Sequence, residues 1–308
     1  MVIAQRGTAA VNLNTTTQFA VDRFFAYADL TATAQQISSI SLDGFKNALR
    51  VQRTAGQTST NNMIFGQTLE SDTSIPLQGK AVTLSFWARA GANFSASSNT
   101  LTARLYTGTG TNQGGLAFNW TGAATPINQG VTLTTSWQRF SVTGTVATTA
   151  TQAQIFLFYT PTGTAGAADS VDITGVQLEI GSVATAFQTA TGTIQGELAA
   201  CQRYYWRLNG SGYSYFCTAA NRSTTVTDGT IFFPVTMRTS PTLSFSAGNT
   251  FMNYENGSII AGTAISADSG TLNTYGISLT VASGLTAGRA GTIRANNTSA
   301  YVDFSSEL

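Results

Sequence analysis

Most of the chain consists of short runs in which apolar and polar residues alternate. In residues 82–88 and 137–146 the apolar side chains fall on one face, and residues 154–159 form a more continuous apolar run, as in a strand covered on both faces. Clusters rich in glycine and threonine, such as residues 106–115, separate the runs. A period of two with frequent turn signals predicts an all-β protein, either a sandwich or a barrel.

One segment follows a helical period instead. In residues 195–206, three side chains that suit a buried helix face recur at i, i+3 and i+7, namely Leu198, Cys201 and Tyr205. Glu197 stands near the start of this segment, where a carboxylate favours the positive end of a helix. We therefore expect a short helix of about two to three turns.

The same region predicts a domain boundary. Residues 189–193 are rich in threonine and glycine and come just before the expected helix. Strand patterns then resume at residues 229–235, 241–245, 275–281 and 300–304. We expect one all-β domain over residues 1–192, and a short helix followed by a second, smaller β-sandwich domain over residues 193–308.

The composition excludes much enzyme chemistry. The chain has no histidine and two cysteines, which rules out histidine-dependent nucleophiles, HExxH zinc sites, four-cysteine zinc sites and iron–sulfur clusters. A polysaccharide hydrolase would need two carboxylates roughly 5–10 Å apart. None of the 14 acidic residues stands in a phrase that marks such a pair. We therefore expect a protein that is not an enzyme.

Charge and hydropathy limit the classes of partner that the chain is expected to bind. Charged residues make up only 9% of the chain, with 15 basic and 14 acidic side chains scattered along it. Nucleic-acid binding needs a basic patch and is not expected. No apolar run approaches the roughly 18 residues of a spanning helix, and no signal peptide is visible, so neither membrane insertion nor standard secretion is expected. Low charge leaves sheet edges weakly protected, which favours a closed oligomer or packing on a particle.

The two cysteines leave two interpretations open. Cys201 and Cys217 are close enough in sequence to form a disulfide without a long loop. Two buried thiols in a reducing compartment are the alternative. Neither cysteine has a histidine to activate it, so a catalytic thiol is not expected.

Seven phrases along the chain carry a family resemblance. They are IAQRGT at 3–8, VDRF at 21–24, VTLSFWARA at 82–90, WQRFSV at 137–142, VQLEIGSVATAF at 176–187, ELAACQRYY at 197–205 and FPVTMRTSP at 233–241. In this order they resemble bacteriophage virion-surface proteins of the tail-fibre type. The fifth and sixth phrases are the most specific as a pair, and the resemblance covers nearly the whole chain.

The resemblance implies a fold, a location and partners. Such proteins carry a jelly-roll β-sandwich similar to carbohydrate-binding modules, followed by a small β domain that opens with the Cys-Gln-Arg-Tyr-Tyr helix. It implies a non-enzymatic virion protein on the tail or fibre, commonly a homotrimer, that contacts other virion proteins and a host surface glycan during adsorption. The alternative is a cement or head-fibre protein that decorates the capsid. The short stretch before the first phrase and the lack of a coiled-coil or collagen-like stalk favour that alternative.

Four aromatic residues are candidates for contact with sugar. An aromatic ring stacks on the apolar face of a sugar, while amide and hydroxyl groups bond its hydroxyls. The candidates are Trp87, Tyr106, Trp120 and Trp137, of which Trp120 stands in a polar, turn-like setting. Each of these rings has a second interpretation, as part of the sandwich core or of a subunit interface.

The resemblance also allows a structural calcium ion, which carboxylate and backbone oxygens would hold. Asp169 and Asp172 form a local acidic pair, and Asp22 is expected to approach them in the fold. Solvated carboxylates in turns are the alternative for all three. No other cofactor is expected.

Overall fold

The computed structural model describes residues 3–308. Its contacts divide the chain after Gly192, and the second unit is Thr193–Glu307. Both units are built almost entirely from antiparallel β-strands. The expected all-β class is therefore confirmed.

The first unit contains two sheets of six strands. Its strands are β1 (Val11–Asn12), β2 (Gln18–Val21), β3 (Phe24–Ala28), β4 (Ala32–Leu42), β5 (Phe45–Arg53), β6 (Met63–Leu69), β7 (Ala81–Ala90), β8 (Thr100–Gly108), β9 (Ala124–Thr132), β10 (Gln138–Thr145), β11 (Gln152–Tyr159) and β12 (Ser170–Ile180). We call the sheet with strand order β2-β3-β6-β11-β8-β9 the front sheet, and the sheet with order β1-β4-β5-β12-β7-β10 the back sheet. A one-turn helix, α1 (Ser71–Ser74), and 3₁₀ turns at Ile75–Leu77, Ser97–Asn99 and Ala117–Asn119 join some of the strands.

The core of the first unit lies between these two sheets. The inward side chains of β7, which are Val82, Leu84, Phe86 and Ala88, are all 0% exposed, as the alternating pattern predicted. Pairing of β10 with β7 sets Val142 opposite Leu84, so the second alternating run joins the same core. Full burial of one large apolar side chain stabilises a fold by about 1.5–3 kcal/mol. Two such faces, packed together, make the first unit a β-sandwich.

The expected helix at the start of the second unit is present and is shorter than its sequence pattern. It is α2 (Ile194–Gln202), and the Thr193 hydroxyl caps it by accepting a hydrogen bond from the Gly196 N–H at 3.1 Å. Tyr205, which the pattern assigned to the helix, instead begins a strand that pairs with Ser305. No helix in the described part of the chain is long and apolar enough to cross a membrane.

A closed barrel dominates the second unit. Its strands are β13 (Tyr205–Asn209), β14 (Tyr215–Asn221), β15 (Val226–Phe232), β16 (Thr242–Phe245), β17 (Phe251–Glu255), β18 (Ser258–Gly270), β19 (Thr274–Val281), β20 (Ala290–Ala295) and β21 (Tyr301–Ser305), with a 3₁₀ turn at Gly248–Thr250. Six of them close in the order β14-β15-β19-β18-β17-β20, and β13-β21-β16 form a separate sheet. Closure pairs the edges that an open sandwich would expose. The second unit is thus more closed than the expected small sandwich.

Cys201 and Cys217 do not form a disulfide with each other in the structure. Cys217 is buried in the barrel, and burial raises its pKa to about 12. A neutral buried thiol packs as a small apolar group. Cys217 therefore fits the buried-thiol interpretation, whereas Cys201 is only half-buried.

Candidate functional site

An aromatic layer covers the outer surface of the front sheet. Its members, which we call the aromatic face, are Phe25, Tyr27, Ile64, Tyr106, Phe156 and Phe158, together with Arg104 and Asn128 at one edge. Strand register puts Tyr27, Ile64 and Phe158 in one row. Phe156, Arg104 and Asn128 follow each other in the next row. Side chains from five strands therefore meet on one face.

Gly66 allows the second row to close up. It lies on β6 between Phe25 and Phe156. A Cβ atom at this position would lie 1.9 Å from the Ile155 carbonyl oxygen and 3.2 Å from the Phe25 ring. Only glycine therefore fits between these strands without moving the backbone.

The connection between β8 and β9, residues 109–123, folds over one end of the aromatic face. Trp120 is 5% exposed, packs in the same cluster as Tyr106 and Phe156, and donates its indole N–H to the Gly114 carbonyl at 3.1 Å. An indole ring of this size, enclosed on both sides, holds the connection against the sheet.

A buried glutamine fixes the same connection from below. The Gln154 side-chain oxygen accepts from the Ala117 N–H at 3.0 Å. Its amide nitrogen donates to the Gly115 carbonyl at 2.8 Å and to the Thr68 hydroxyl at 2.9 Å. All three bonds are made by a side chain that is 0% exposed, so the connection is anchored to β11 by satisfied buried polar groups.

The other end of the aromatic face is open. Tyr27 and Phe158 are half-buried there. The Arg104 guanidinium carbon lies 4.5 Å from the centroid of the Phe158 ring. Arg104 also donates to the Tyr106 hydroxyl at 3.0 Å and to the Asn128 side-chain oxygen at 2.6 Å. The arrangement offers aromatic surface for stacking beside oriented guanidinium, amide and hydroxyl groups.

The four aromatic residues predicted to contact sugar do not form one site. Tyr106 and Trp120 are brought together, but both are buried, at 7% and 5% exposure. Trp87 lies on the outer face of the back sheet, and Trp137 comes just before β10 of that sheet. The ring centroids of Trp87 and Phe45 are 6.4 Å apart. The guanidinium carbon of Arg89 lies 4.9 Å from the centroid of the Trp137 ring. For all four residues, contact with sugar stays a prediction.

Sequence reasoning missed the residues at the open end. Tyr27, Arg104, Asn128 and Phe158 belong to four strands that are far apart in sequence. The available signal was the apolar run 154–159, which was expected to be covered on both faces. The structure covers Phe156 to 3% exposure and leaves Phe158 half-buried, because residues 109–123 reach only one end of the face.

Asp169 is held by an arginine rather than by the predicted calcium ion. Arg53, which is 0% exposed, donates to its carboxylate at 2.8 Å. The same guanidinium donates to the carbonyl oxygens of Gln57, Ser59 and Gly163. A guanidinium therefore supplies the positive charge that the prediction assigned to a metal. Burial and the nearby Asp169 carboxylate raise the pKa of Tyr159, so its hydroxyl stays neutral beside this pair.

The other two predicted calcium ligands are also occupied elsewhere. Asp172 accepts hydrogen bonds from Arg50 and Arg89. Asp22 accepts from the Gln5 backbone and side chain at 3.1 and 2.7 Å, and burial raises its pKa. Residues 3–308 contain no group of three or more acidic or cysteine side chains placed to hold a metal ion. The calcium site expected from Asp22, Asp169 and Asp172 is thus corrected to separate ion pairs and hydrogen bonds.

Comparisons with known proteins find likeness only among solved structures. No family model and no curated protein matches the chain. Tailspike protein 4 of bacteriophage CBA120, in its enzymatically active domain, is similar at 14% identity and a TM-score of 0.35, over 51% of this chain and 19% of that chain. The chain therefore spans about a fifth of that tailspike domain.

Two carbohydrate-binding modules are similar at the same level. The CBM22-1 xylan-binding domain from Paenibacillus barcinonensis Xyn10C is 12% identical with a TM-score of 0.34, over 58% of this chain and 99% of that chain. The family 11 module from Clostridium thermocellum, solved with a mixed-linked tetrasaccharide, is 13% identical with a TM-score of 0.33, over 58% and 99% of the two chains. Likeness at this level assigns no function, so a functional conclusion has to rest on this chain's own residues.

Proposed function

We propose that the first unit binds carbohydrate at the open end of the aromatic face. The observation that carries this proposal is the half-buried Phe158 ring, which lies beside Arg104 and in one row with Ile64 and the half-buried Tyr27. The Arg104 guanidinium is fixed by Tyr106 and Asn128. Aromatic rings stack on the apolar faces of sugars, and oriented amide, hydroxyl and guanidinium groups bond sugar hydroxyls. Both kinds of group stand side by side here.

The packing of the rings on this face also favours a binding role. Phe156 lies in the next row, with its ring centroid 5.8 Å from that of Phe158 and 5.1 Å from that of Tyr106. Rings that are already fixed by their neighbours lose little rotamer freedom when a ligand binds. None of the aromatic-face residues is a carboxylate, so this surface is suited to binding a saccharide and not to cleaving it.

For the chain as a whole, we propose that it is a non-enzymatic surface protein of a bacteriophage tail or fibre that contacts host glycans. Support for this comes from the seven phrases of the sequence. Several copies on one particle, such as a homotrimer, would strengthen a weak contact by multivalency. Decoration of the capsid is the competing location, and it requires no sugar contact.

Removal of the Phe158 ring is expected to weaken saccharide binding about thirtyfold or more, because ring truncation at a central contact costs about 2 kcal/mol or more. An array of bacterial surface polysaccharides would first identify a bound oligosaccharide, and calorimetric titration of F158A would then measure its affinity. F232A is the matched control, since Phe232 is a phenylalanine 73% exposed in the second unit. Equal affinity of F158A and the unchanged protein, or equal losses in both variants, would refute the proposed site.

Antibody–gold labelling of intact phage particles tests the location. We expect gold on the tail or its appendages. Gold distributed over the head would reverse the preference in favour of capsid decoration. Particles that stay unlabelled while their surface is accessible would count against both locations.

A further inference from the structure

A second concave surface lies on the opposite side of the sandwich. It is an open depression of about 400 Å³ on the outer face of the back sheet. Its floor is polar and contains Arg50, Arg89 and Asp172. The rest of the lining is uncharged and includes Gln52, Gly91, Ala92, Thr135 and Ala168. Nothing in the aromatic face contributes to it.

The floor carries more positive than negative charge. The Asp172 side chain is 3% exposed and accepts from Arg50 at 2.7 and 2.9 Å and from Arg89 at 2.9 Å. One carboxylate therefore serves two guanidinium groups, and one positive charge is left without a partner among the lining residues. The arginine side chains are 31% and 28% exposed, so this charge faces the depression.

Donor groups remain free on both arginines. Arg50 uses Nε and one terminal nitrogen on Asp172, and Arg89 uses only Nε. The other terminal nitrogens make no hydrogen bond within residues 3–308. The Trp137 ring lies 4.9 Å from the Arg89 guanidinium and holds its plane. Planar guanidinium forks held in this way match the two oxygens of a carboxylate.

We infer that this depression binds the carboxylate of an acidic sugar, such as a hexuronic acid, independently of the aromatic face. The volume of the depression lies in the range typical of small-molecule sites, about 300–1,000 Å³. A carboxylate group alone would leave much of this volume empty, so we infer a larger ligand that carries one. The Thr135 hydroxyl and the Gln52 side chain, whose amide nitrogen donates to the Ala167 carbonyl at 2.9 Å, also stand on the lining. Gly91 and Ala168 add no bulky side chain to the lining.

Titration followed by nuclear magnetic resonance tests this inference. Glucuronate is the probe, glucose is its neutral match, and inorganic phosphate is a small anion. We expect glucuronate, and not glucose, to shift the Nε–H signals of Arg50 and Arg89 and the amide of Gly91. R89Q should weaken glucuronate binding about tenfold, since one charge-assisted contact is lost. A response to phosphate alone, or no response at the depression, would overturn the inference.

Two further variants keep the test independent of folding and of the first proposal. A92F fills the depression from its exposed wall and leaves both arginine pairs intact, so it should also abolish the glucuronate shifts. If A92F binds glucuronate as well as the unchanged protein does, the ligand lies elsewhere. F158A should retain glucuronate binding, and R89Q should retain binding at the aromatic face, so failure of either proposal is visible separately.

Discussion

Replacement of Arg53 by glutamine is expected to lower the free energy of unfolding of the first unit by about 3–5 kcal/mol, as is typical when one partner of a buried ion pair is removed. Arg53 is 0% exposed, and so is Asp169, whose carboxylate lies 2.8 Å from the guanidinium. Glutamine would leave that carboxylate buried without a positive charge. An unpaired buried carboxylate is among the most costly groups in a protein interior.

Loss of hydrogen bonds adds to this effect. One terminal nitrogen of Arg53 also donates to the Ser95 hydroxyl at 3.0 Å, and the other donates to three backbone carbonyls. These partners belong to three separate connections around the end of β5, which the guanidinium holds together. A glutamine amide has two donor hydrogens and a shorter reach, so most of these carbonyls would lose their partner.

Urea denaturation monitored by tryptophan fluorescence measures the loss. The control is K46Q, because Lys46 is exposed on the same strand and its neutralisation should change stability by no more than about 0.5 kcal/mol. D169N should destabilise as R53Q does, since it leaves the arginine charge buried instead. A change of under 1 kcal/mol in both R53Q and D169N would show that the buried pair contributes little to the fold.

The Arg53–Asp169 pair shows which features of the fold can be predicted from the sequence and which cannot. The sequence marked Asp169 as a candidate calcium ligand, but the cation that it contacts is Arg53, which lies 116 residues earlier, on β5. Local patterns report which side chains share a face of a strand, because the period of two is local. They do not report which strand lies alongside, or which connection covers the outer face. The alternating run at 82–88 was therefore predictable, whereas the grouping of Tyr27, Arg104 and Phe158 was not.

Side chains in the seven sequence phrases form hydrogen bonds that stabilise the local fold. The first two meet where Gln5 donates to the Asp22 carboxylate at 2.7 Å. Within the fifth, the Glu179 carboxylate accepts from the Thr185 hydroxyl at 2.7 Å and from its N–H at 3.0 Å, and these bonds lower the pKa of Glu179. Phrases of this kind specify architecture. Tyr27, Arg104, Asn128 and Phe158 lie outside them, which is why the open end of the aromatic face carried no recognisable sequence signal.

Truncation of Trp120 to alanine is expected to release residues 109–123 and to lower the free energy of unfolding by about 3–5 kcal/mol, the usual cost of removing a buried indole. The sequence singled out Trp120 as a sugar contact because of its polar setting. In the structure its ring is 5% exposed, packs with Tyr106 and Phe156, and bonds the Gly114 carbonyl. In the structure Trp120 therefore holds the connection that supports the aromatic face, and its contact with sugar stays a prediction.

Hydrogen exchange and saccharide binding together separate the two roles of Trp120. In W120A, the Ala117 amide, which bonds Gln154 at 3.0 Å, should lose protection, and saccharide affinity should fall as a consequence. W120F keeps an aromatic ring in the cluster and should retain most of the protection and most of the affinity. F158A, in contrast, should lose saccharide affinity. If W120A instead keeps full protection at Ala117 and loses only saccharide affinity, Trp120 contacts the sugar directly. The binding surface would then include the connection itself and extend beyond the open end of the sheet.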